Sequence, residues 1–387
     1  MSVAPLPATA LRIWQAACRA AGCPDLLPAE PVPLGEAVGR VTAEPVLALR
    51  SSPGHEAAAM DGLAVRAADT VGLRLAPGDN DVVDTGDAIP AGRDAVVVRE
   101  QVTYDGSTAL LVETVPVGRH IRAVGEDVLA GTALLPAGHR LRPLDVAWAA
   151  GAGHNSVVVR RRPHVVVIPT GDEVLPLGSV PGPGQVLDTN SLMLVAQAVE
   201  AGCTAYAVAV VPDDPVALAV AVRAACGEAD LVVVGAGSSA GRDDHTAAVI
   251  AGLGALVVQG VAVRPGHPVL LGVVDSTPVL GAPGYPVSTA LSFDLLAVPL
   301  LAALVGAPPP RRPRTTARIG VALVSPAGAD DWVRVRLEAG PDGSVAWPLP
   351  GGAGALSSLA GADALLLVPA GATGHAAGDV VEVELLR

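Results

Sequence analysis

At 387 residues the chain is too long for one ordinary core and long enough for two to four domains. Hydrophobic residues make up 51 % of it but aromatics only 2 %, so Ala, Val, Leu and Gly supply the apolar volume. All 25 basic residues are arginine, and a net charge of −13 argues against a general nucleic-acid binder, which needs a basic face to release counterions. A few local donors can still hold a small anion inside an acidic protein.

Residues 9–23 (TALRIWQAACRAAGC) read as a helix, with Thr9 as N-cap and Gly22 near its end. From 31 to 159 the chain is dense in Gly, Pro and Val. Short β-rich segments such as DAVVV (94–98) and ALLVETV (109–115) are separated there by turns like Asp105-Gly106. The pattern changes after the RRR of 160–162. The run HVVVI (164–168) reads as a buried strand, 190–202 as a helix capped by DTN (188–190), and 205–211 as a strand. A helix over 215–227 follows, with proline in its first turn, then the apolar strand DLVVV (230–234). Strands near 255–263 and 278–281 precede a last helix over 287–305. Apolar strands alternating with helices of this length imply a parallel sheet covered on both faces. The segment APPPRRPR (307–314) reads as a stiff linker, and 315–387 as a small β-domain or barrel.

Cys18, Cys23, Cys203 and Cys226 are scattered, with no C-x-x-C, and read as small buried thiols. The N-terminus lacks the basic flank and apolar core of a signal peptide. The longest apolar stretch, 295–306, is shorter than the roughly 20 residues that span a bilayer. A cytoplasmic protein with no membrane insertion is expected.

Ligands of an open parallel sheet bind outside the carboxyl ends of its strands. Four loops fall at such ends: PTGDE (169–173), GAGSSAG (235–241), RPGHP (264–268) and GAPGYP (281–286). Each can bring backbone N–H groups and hydroxyls to an anion, although any one alone reads more readily as a structural turn. Their spacing is neither G-x-G-x-x-G nor a P-loop. An acidic set accompanies them: Asp61, Asp127, Glu173, Asp213, Asp214, Asp243 and Asp244. Turn-forming Asp residues often do no more than accept local backbone bonds, and Asp213 reads equally well as a helix N-cap. Carboxylates around an anion pocket call for a divalent cation, and Mg²⁺ favours carboxylates with ligand phosphates.

These motifs together resemble the molybdopterin molybdotransferases, the family that includes the E domain of gephyrin. The match runs through AAAMDGLAVR (57–66), DTGDAIPAGRDAVV (84–97), GRHIRAVGEDVLAG (118–131), PTGDEV (169–174), DLVVVGAGSSAGRDDH (230–245), GAPGYPVSTALSF (281–293) and GALSSLAGAD (354–363), in order along nearly the whole chain. The resemblance implies a multidomain α/β and β architecture. It has a discontinuous helical and linker domain (1–46 and 131–162) and a mobile β-rich domain (47–130). A molybdopterin-binding α/β domain with a parallel sheet (163–306) and a C-terminal β-barrel (313–387) complete it. It implies a homodimer that inserts molybdate into adenylylated molybdopterin, releases AMP with the help of Mg²⁺, and passes the finished cofactor to molybdoenzymes.

Carried over by motif position, the catalytic acids are Asp61, Asp127, Glu173, Asp213 and Asp244, with Asp61 and Asp244 as metal ligands. The small anionic pterin-phosphate ligand and the oxyanion fall to Thr170, Gly171, Asp172, Gly237, Ser239, Gly241, Arg264, His267, Pro283, Pro286 and Ser358. The chain departs from the family pattern at Ala236, which replaces a glycine, and at His267, which replaces a lysine. Tyr285 replaces an asparagine, Gly354 stands at a basic position, and Asp363 replaces the closing Asn. Fewer fixed cations in an oxyanion site leave a second reading, a pterin-binding or dimeric scaffold without molybdate insertion.

Overall fold

The computed structural model describes residues 4–235, 245–340 and 343–386. They divide into two compact units, one of residues 1–29 with 160–387 and one of residues 30–159.

The first unit is built on a six-stranded sheet. Its order is Thr204–Ala207, His164–Pro169, Leu231–Gly235, Thr277–Ala282, Leu270–Val274 and Ala255–Gln259. The first four strands are parallel and the last two run antiparallel to their neighbours. The central strands are continuous in valine because both their faces are covered. Val166, Ile168, Val232 and Val234 pack against Leu218, Val222 and Ile250 of the helices Pro215–Cys226 and Thr246–Leu253. By alternation Val165, Val167, Leu231 and Val233 face the other way and are buried as completely. Each such side chain contributes about 1.5–3 kcal/mol by leaving water.

The helix Pro7–Ala20 packs on the antiparallel side of the sheet. It starts two residues earlier than the sequence reading, because Pro7 suits the first turn, and Thr9 makes no cap bond. Trp14 is fully buried and donates its Nε1–H to the Gly272 carbonyl at 2.8 Å. Trp14→Phe removes that bond and is expected to cost about 0.5–1.5 kcal/mol in a urea titration. An unchanged midpoint would show that the indole serves only as volume. The helix ends with Gly22 at φ +78, the Gly22 N–H on Arg19 O and the Cys23 N–H on Cys18 O at 3.0 Å. This closing motif brings the helix's third-last residue, Cys18, against the third residue beyond its end, Cys23. Cys18 and Cys23, remote from any recognised motif in the sequence, therefore share a thiol–thiol hydrogen bond that pushes Cys18 up and Cys23 down.

Helix Thr189–Glu200 is capped by Asp188, which accepts from the Ser191 N–H. The strand expected over 205–211 stops at Ala207, and only Val211 rejoins the sheet edge, by a bridge to Thr170. The helix expected over 287–305 is one run, Pro286–Leu304, with a wide π turn at Phe293–Ala297 just before Pro299. That run is longer than the apolar stretch seen in the sequence and long enough to cross a bilayer, but 72 % of it is buried inside the protein, as in a core helix. The segment read as a plain linker also has a fixed contact, because Arg312 pairs with the mostly buried Asp294 at 2.6 Å.

A five-stranded barrel closes the first unit: Asp330–Gly340, Gly343–Pro348, Arg314–Ile319, Val380–Leu385 and Ala364–Val368, with the last pairing back to the first. Closure leaves no open edge. The inward residues Ala317, Ile319, Val335, Ala346, Leu366 and Val383 fill it.

The second unit is a set of small sheets. Gly62–Val65 lies between Asn80–Val83 and Ala95–Val98, and Thr108–Leu111 lies between Arg74–Leu75 and Val102–Asp105. One core holds Leu63, Val65, Leu75 and Val97, and another gathers Leu34, Leu135, Leu141 and Val157 around the helix Pro143–Gly151.

Candidate functional site

The register of the sheet decides where its loops lie. The strands His164–Pro169, Leu231–Gly235 and Thr277–Ala282 are parallel and in step, so residues 170 and 283 leave the same edge at which Gly235 ends the middle strand. Leu270 pairs with Gly281, and Gln259 with Leu270, so the 260–269 loop arrives at that edge too. The sheet thus brings the loops 169–173, 264–268 and 281–286 together, with the stub of the glycine-rich loop at Gly235. Gly237, Ser239, Gly241 and Asp244 lie outside the described residues.

The 169–173 loop is fixed from below. Thr170 donates its hydroxyl to Gly235 O at 2.7 Å, and the Gly171 N–H bonds Val211 O. Gly171 sits at φ +131, and a Cβ there would lie 2.8 Å from both Glu173 and Val174, so the position accepts only glycine. Asp172 and Asp213 cap one another: the Asp172 N–H bonds the Asp213 carboxylate and the Asp213 N–H bonds that of Asp172, both at 3.3 Å. The helix-capping role considered for Asp213 belongs to Asp214, which accepts from the Val216 and Ala217 N–H groups.

Pro283 and Pro286 frame the neighbouring loop. The Pro283 carbonyl accepts from the Thr289 hydroxyl, and Pro286 opens its helix at the first turn. Asn190, which the sequence reading left as part of a cap, reaches across and donates to Gly284 O at 2.8 Å. Its Oδ1 is buried with no partner among the described residues. An unmatched buried acceptor beside a loop cluster is a place for a ligand N–H.

Two departures from the family pattern are linked sterically. Tyr285 is 61 % exposed, and its ring stands 3.2 Å from where a Cβ on Gly354 would sit. A side chain at 354 would have to displace the ring, so the phenol at 285 and the missing basic side chain at 354 go together. The Val287 N–H bonds Ala353 O and ties the two loops.

Behind the 351–358 segment lies a residue the sequence reading missed. Arg334, 8 % exposed on the barrel strand Asp330–Gly340, donates its Nε–H to Ser358 Oγ at 3.2 Å and an NH2 proton to Gly351 O. The Ser358 hydroxyl in turn donates to Ala355 O. Burial holds the Arg334 guanidinium below the usual arginine value, against the opposing pull of the Asp331 carboxylate.

Arg264 and His267 line one cavity of about 320 Å³. The Arg264 guanidinium donates to Pro326 O and Ala327 O. His267 Nδ1 lies 2.7 Å from Val261 O and must donate to it, so this imidazole closes its own turn.

In the second unit, Asp61 accepts at one oxygen from both the N–H (2.7 Å) and the hydroxyl (2.8 Å) of Thr85. Those two bonds, with Arg99 further off, hold its carboxyl below the usual range. Asp127 lines a separate cavity of about 490 Å³. Among the described residues no group of three His, Cys, Asp or Glu could hold a metal by itself. Single exposed carboxylates such as Asp61 suit an ion that takes most of its oxygens from water and a ligand phosphate.

Comparison with known proteins agrees with this geometry. Residues 7–153 match the family described as the MoeA N-terminal region (domain I and II), and 316–386 the MoeA C-terminal region (domain IV). Residues 166–303 match a probable molybdopterin binding domain. Molybdopterin molybdenumtransferase 2 of Mycobacterium tuberculosis is 34 % identical over 383 residues, covering 91 % of this chain and 94 % of its own length. The molybdopterin molybdenumtransferase of Haemophilus influenzae is 33 % identical over 291 residues, 70 % of this chain and 72 % of its own. The crystal structure of molybdopterin biosynthesis MoeA protein from Pyrococcus horikosii superposes with a TM-score of 0.84 at 31 % identity over the full length of both chains. A sheet edge that gathers phosphate-type loops, a closed C-terminal barrel and relatives matching from end to end have one common explanation: the chain belongs to the MoeA family of molybdopterin molybdenumtransferases.

Proposed function

We propose that this protein inserts molybdate into adenylylated molybdopterin, with release of AMP. The observation that carries the reading is the sheet register, which delivers the 169–173, 264–268 and 281–286 loops to one edge. Thr170, Gly171 and Asp172 offer a rigid backbone for the pterin phosphate, and Asn190 Oδ1 accepts a ligand N–H. Pro283 and Pro286 hold the opposite wall. Arg264 and Arg334 supply the positive field for an oxyanion, Ser358 holds Arg334 by accepting its Nε–H, and His267 shapes the turn beside them. Gly237, Ser239 and Gly241 extend the phosphate cradle by motif.

Glu173, Asp213 and Asp127 are the remaining catalytic acids, and Asp61 and Asp244 hold Mg²⁺. That ion supplies charge neutralisation between the acids and the substrate phosphates. We extend the reading to a cytoplasmic homodimer that hands the finished cofactor to molybdoenzymes. It is divided into a domain of 1–46 with 131–162, a mobile domain of 47–130, the pterin domain of 163–306 and the barrel of 313–387.

Purified protein mixed with adenylylated molybdopterin, molybdate and Mg²⁺ is expected to release AMP, to stop when EDTA is added and to recover with excess Mg²⁺. Full release in metal-free buffer would remove the cation from the scheme. Tight substrate binding without any AMP would overturn the enzymatic reading itself.

A further inference from the structure

The cavity of about 490 Å³ in the 30–159 unit holds a histidine that the proposed reaction has not yet used. It is lined by Asp127, His139, Arg142, Asp145 and Trp148, among others. Asp145 is 2 % exposed, and its two oxygens take four donors: the Arg142 N–H (2.8 Å), Nε (3.0 Å) and NH2 (2.8 Å), and His139 Nε2 (2.7 Å). Capping the helix Pro143–Gly151 needs only the first of these.

An ionised Asp145 only accepts, so the proton of a neutral His139 sits on Nε2 and its Nδ1 carries the lone pair. Nδ1 has no partner among the described residues, and the side chain is 26 % exposed on the cavity wall. The backbone of His139 is pinned as well. Its N–H bonds Thr42 Oγ1 at 3.0 Å, its carbonyl accepts from the Thr42 N–H, and the Thr42 hydroxyl donates to Pro136 O. A carboxylate that fixes the tautomer and aim of an imidazole, with the other nitrogen open to a cavity, is the arrangement of a general base.

We propose that His139 is a catalytic proton acceptor for AMP release, aimed by Asp145 as its positioning residue, in the cavity that Asp127 shares. The inference rests on the functional reading above, through Asp127. In the step, a water oxygen forms a bond to phosphorus of the adenylyl anhydride as the bridging P–O bond breaks. The water's proton passes to His139 Nδ1 and from there to solvent. The bridging oxygen leaves on one phosphate product, and no oxidant or reductant is needed.

The test compares wild type, His139→Gln and His139→Ala, each first checked by thermal melting. A glutamine amide can still donate to Asp145 but cannot accept the proton, so a purely structural role would survive that change. We expect His139→Gln to melt as wild type does but lose about 10²-fold in kcat with KM within twofold. Added imidazole is expected to restore part of the rate of His139→Ala. An active wild type beside an equally active His139→Gln overturns this inference alone. A wild type that binds substrate and releases no AMP overturns the functional reading, and this one with it.

Discussion

Arg334→Met is expected to lower AMP release by about 10²-fold or more while leaving the melting temperature unchanged or slightly higher. The argument starts from cost. A charge buried to 8 % exposure opposes folding, and the Asp331 charge with the bonds to Ser358 and Gly351 offsets only part of that. Methionine of similar length keeps the volume and removes the desolvation penalty. A guanidinium held against this cost, behind the loop where Gly354 gives no cation, is best placed to stabilise an anion. Lysine should not replace it, because the Ser358 and Gly351 bonds use the planar fork. The measurement is AMP-release kinetics beside a thermal melt. A large fall in melting temperature with normal kinetics would assign Arg334 to the barrel alone.

Asp145→Ala is expected to destabilise the 30–159 unit by about 2–3 kcal/mol: about 1 for the lost helix cap and the rest for the orphaned His139 Nε2–H. Arg142 adds little to this sum, because its side chain is 68 % exposed and its ion pair is screened. The pH dependence follows from sign. The Arg142 and His139 donors hold the Asp145 carboxyl well below the usual range. Its contribution is therefore complete above the unfolded value of about 3.9 and is lost as pH falls toward the folded one. Urea midpoints of wild type and Asp145→Ala should differ at pH 7 and approach each other in strong acid. A gap that stays constant down to pH 2 would show that the carboxylate charge contributes nothing.

The central sheet was legible because HVVVI and DLVVV are apolar without interruption, as only strands buried on both faces can be. Of the two antiparallel strands beside them, the one near 255–263 was read but Leu270–Val274 was not. LLGVV at 270–274 is equally apolar, and direction leaves no mark on composition. The hairpin that reverses the chain uses Asp275 and Ser276, both at positive φ, where Asn-Gly would have announced it. The loops 169–173, 264–268 and 281–286 were readable as a group, since each follows a strand. Arg334 was not readable, because an arginine in the alternating run WVRVRL looks like solvent-facing decoration, as its neighbour Arg336 is. Burial of one and exposure of the other follow from the barrel's closure, which is a tertiary fact. His139 was hidden for a related reason, since its partner Asp145 reads as a helix cap and nothing more.

The anchoring of Trp14 on Gly272 has a consequence for how the protein is made. The two residues lie 258 positions apart, and the intervening chain includes all of 30–159. At ribosomal rates of about 5–20 residues per second, the Pro7–Ala20 segment emerges on the order of 10–50 s before its docking strand exists. A 14-residue helix alone in water is marginal, so the segment spends that interval largely unfolded with its indole in solvent. The inserted unit, whose chain is finished first, can complete its own cores in the meantime. Pro28 O and the Arg161 N–H on either side of it then meet at 2.8 Å, and the early segment returns to the sheet last. Translation pausing within 160–282 would lengthen this exposed phase, and synthesis rate joins sequence as a determinant of yield.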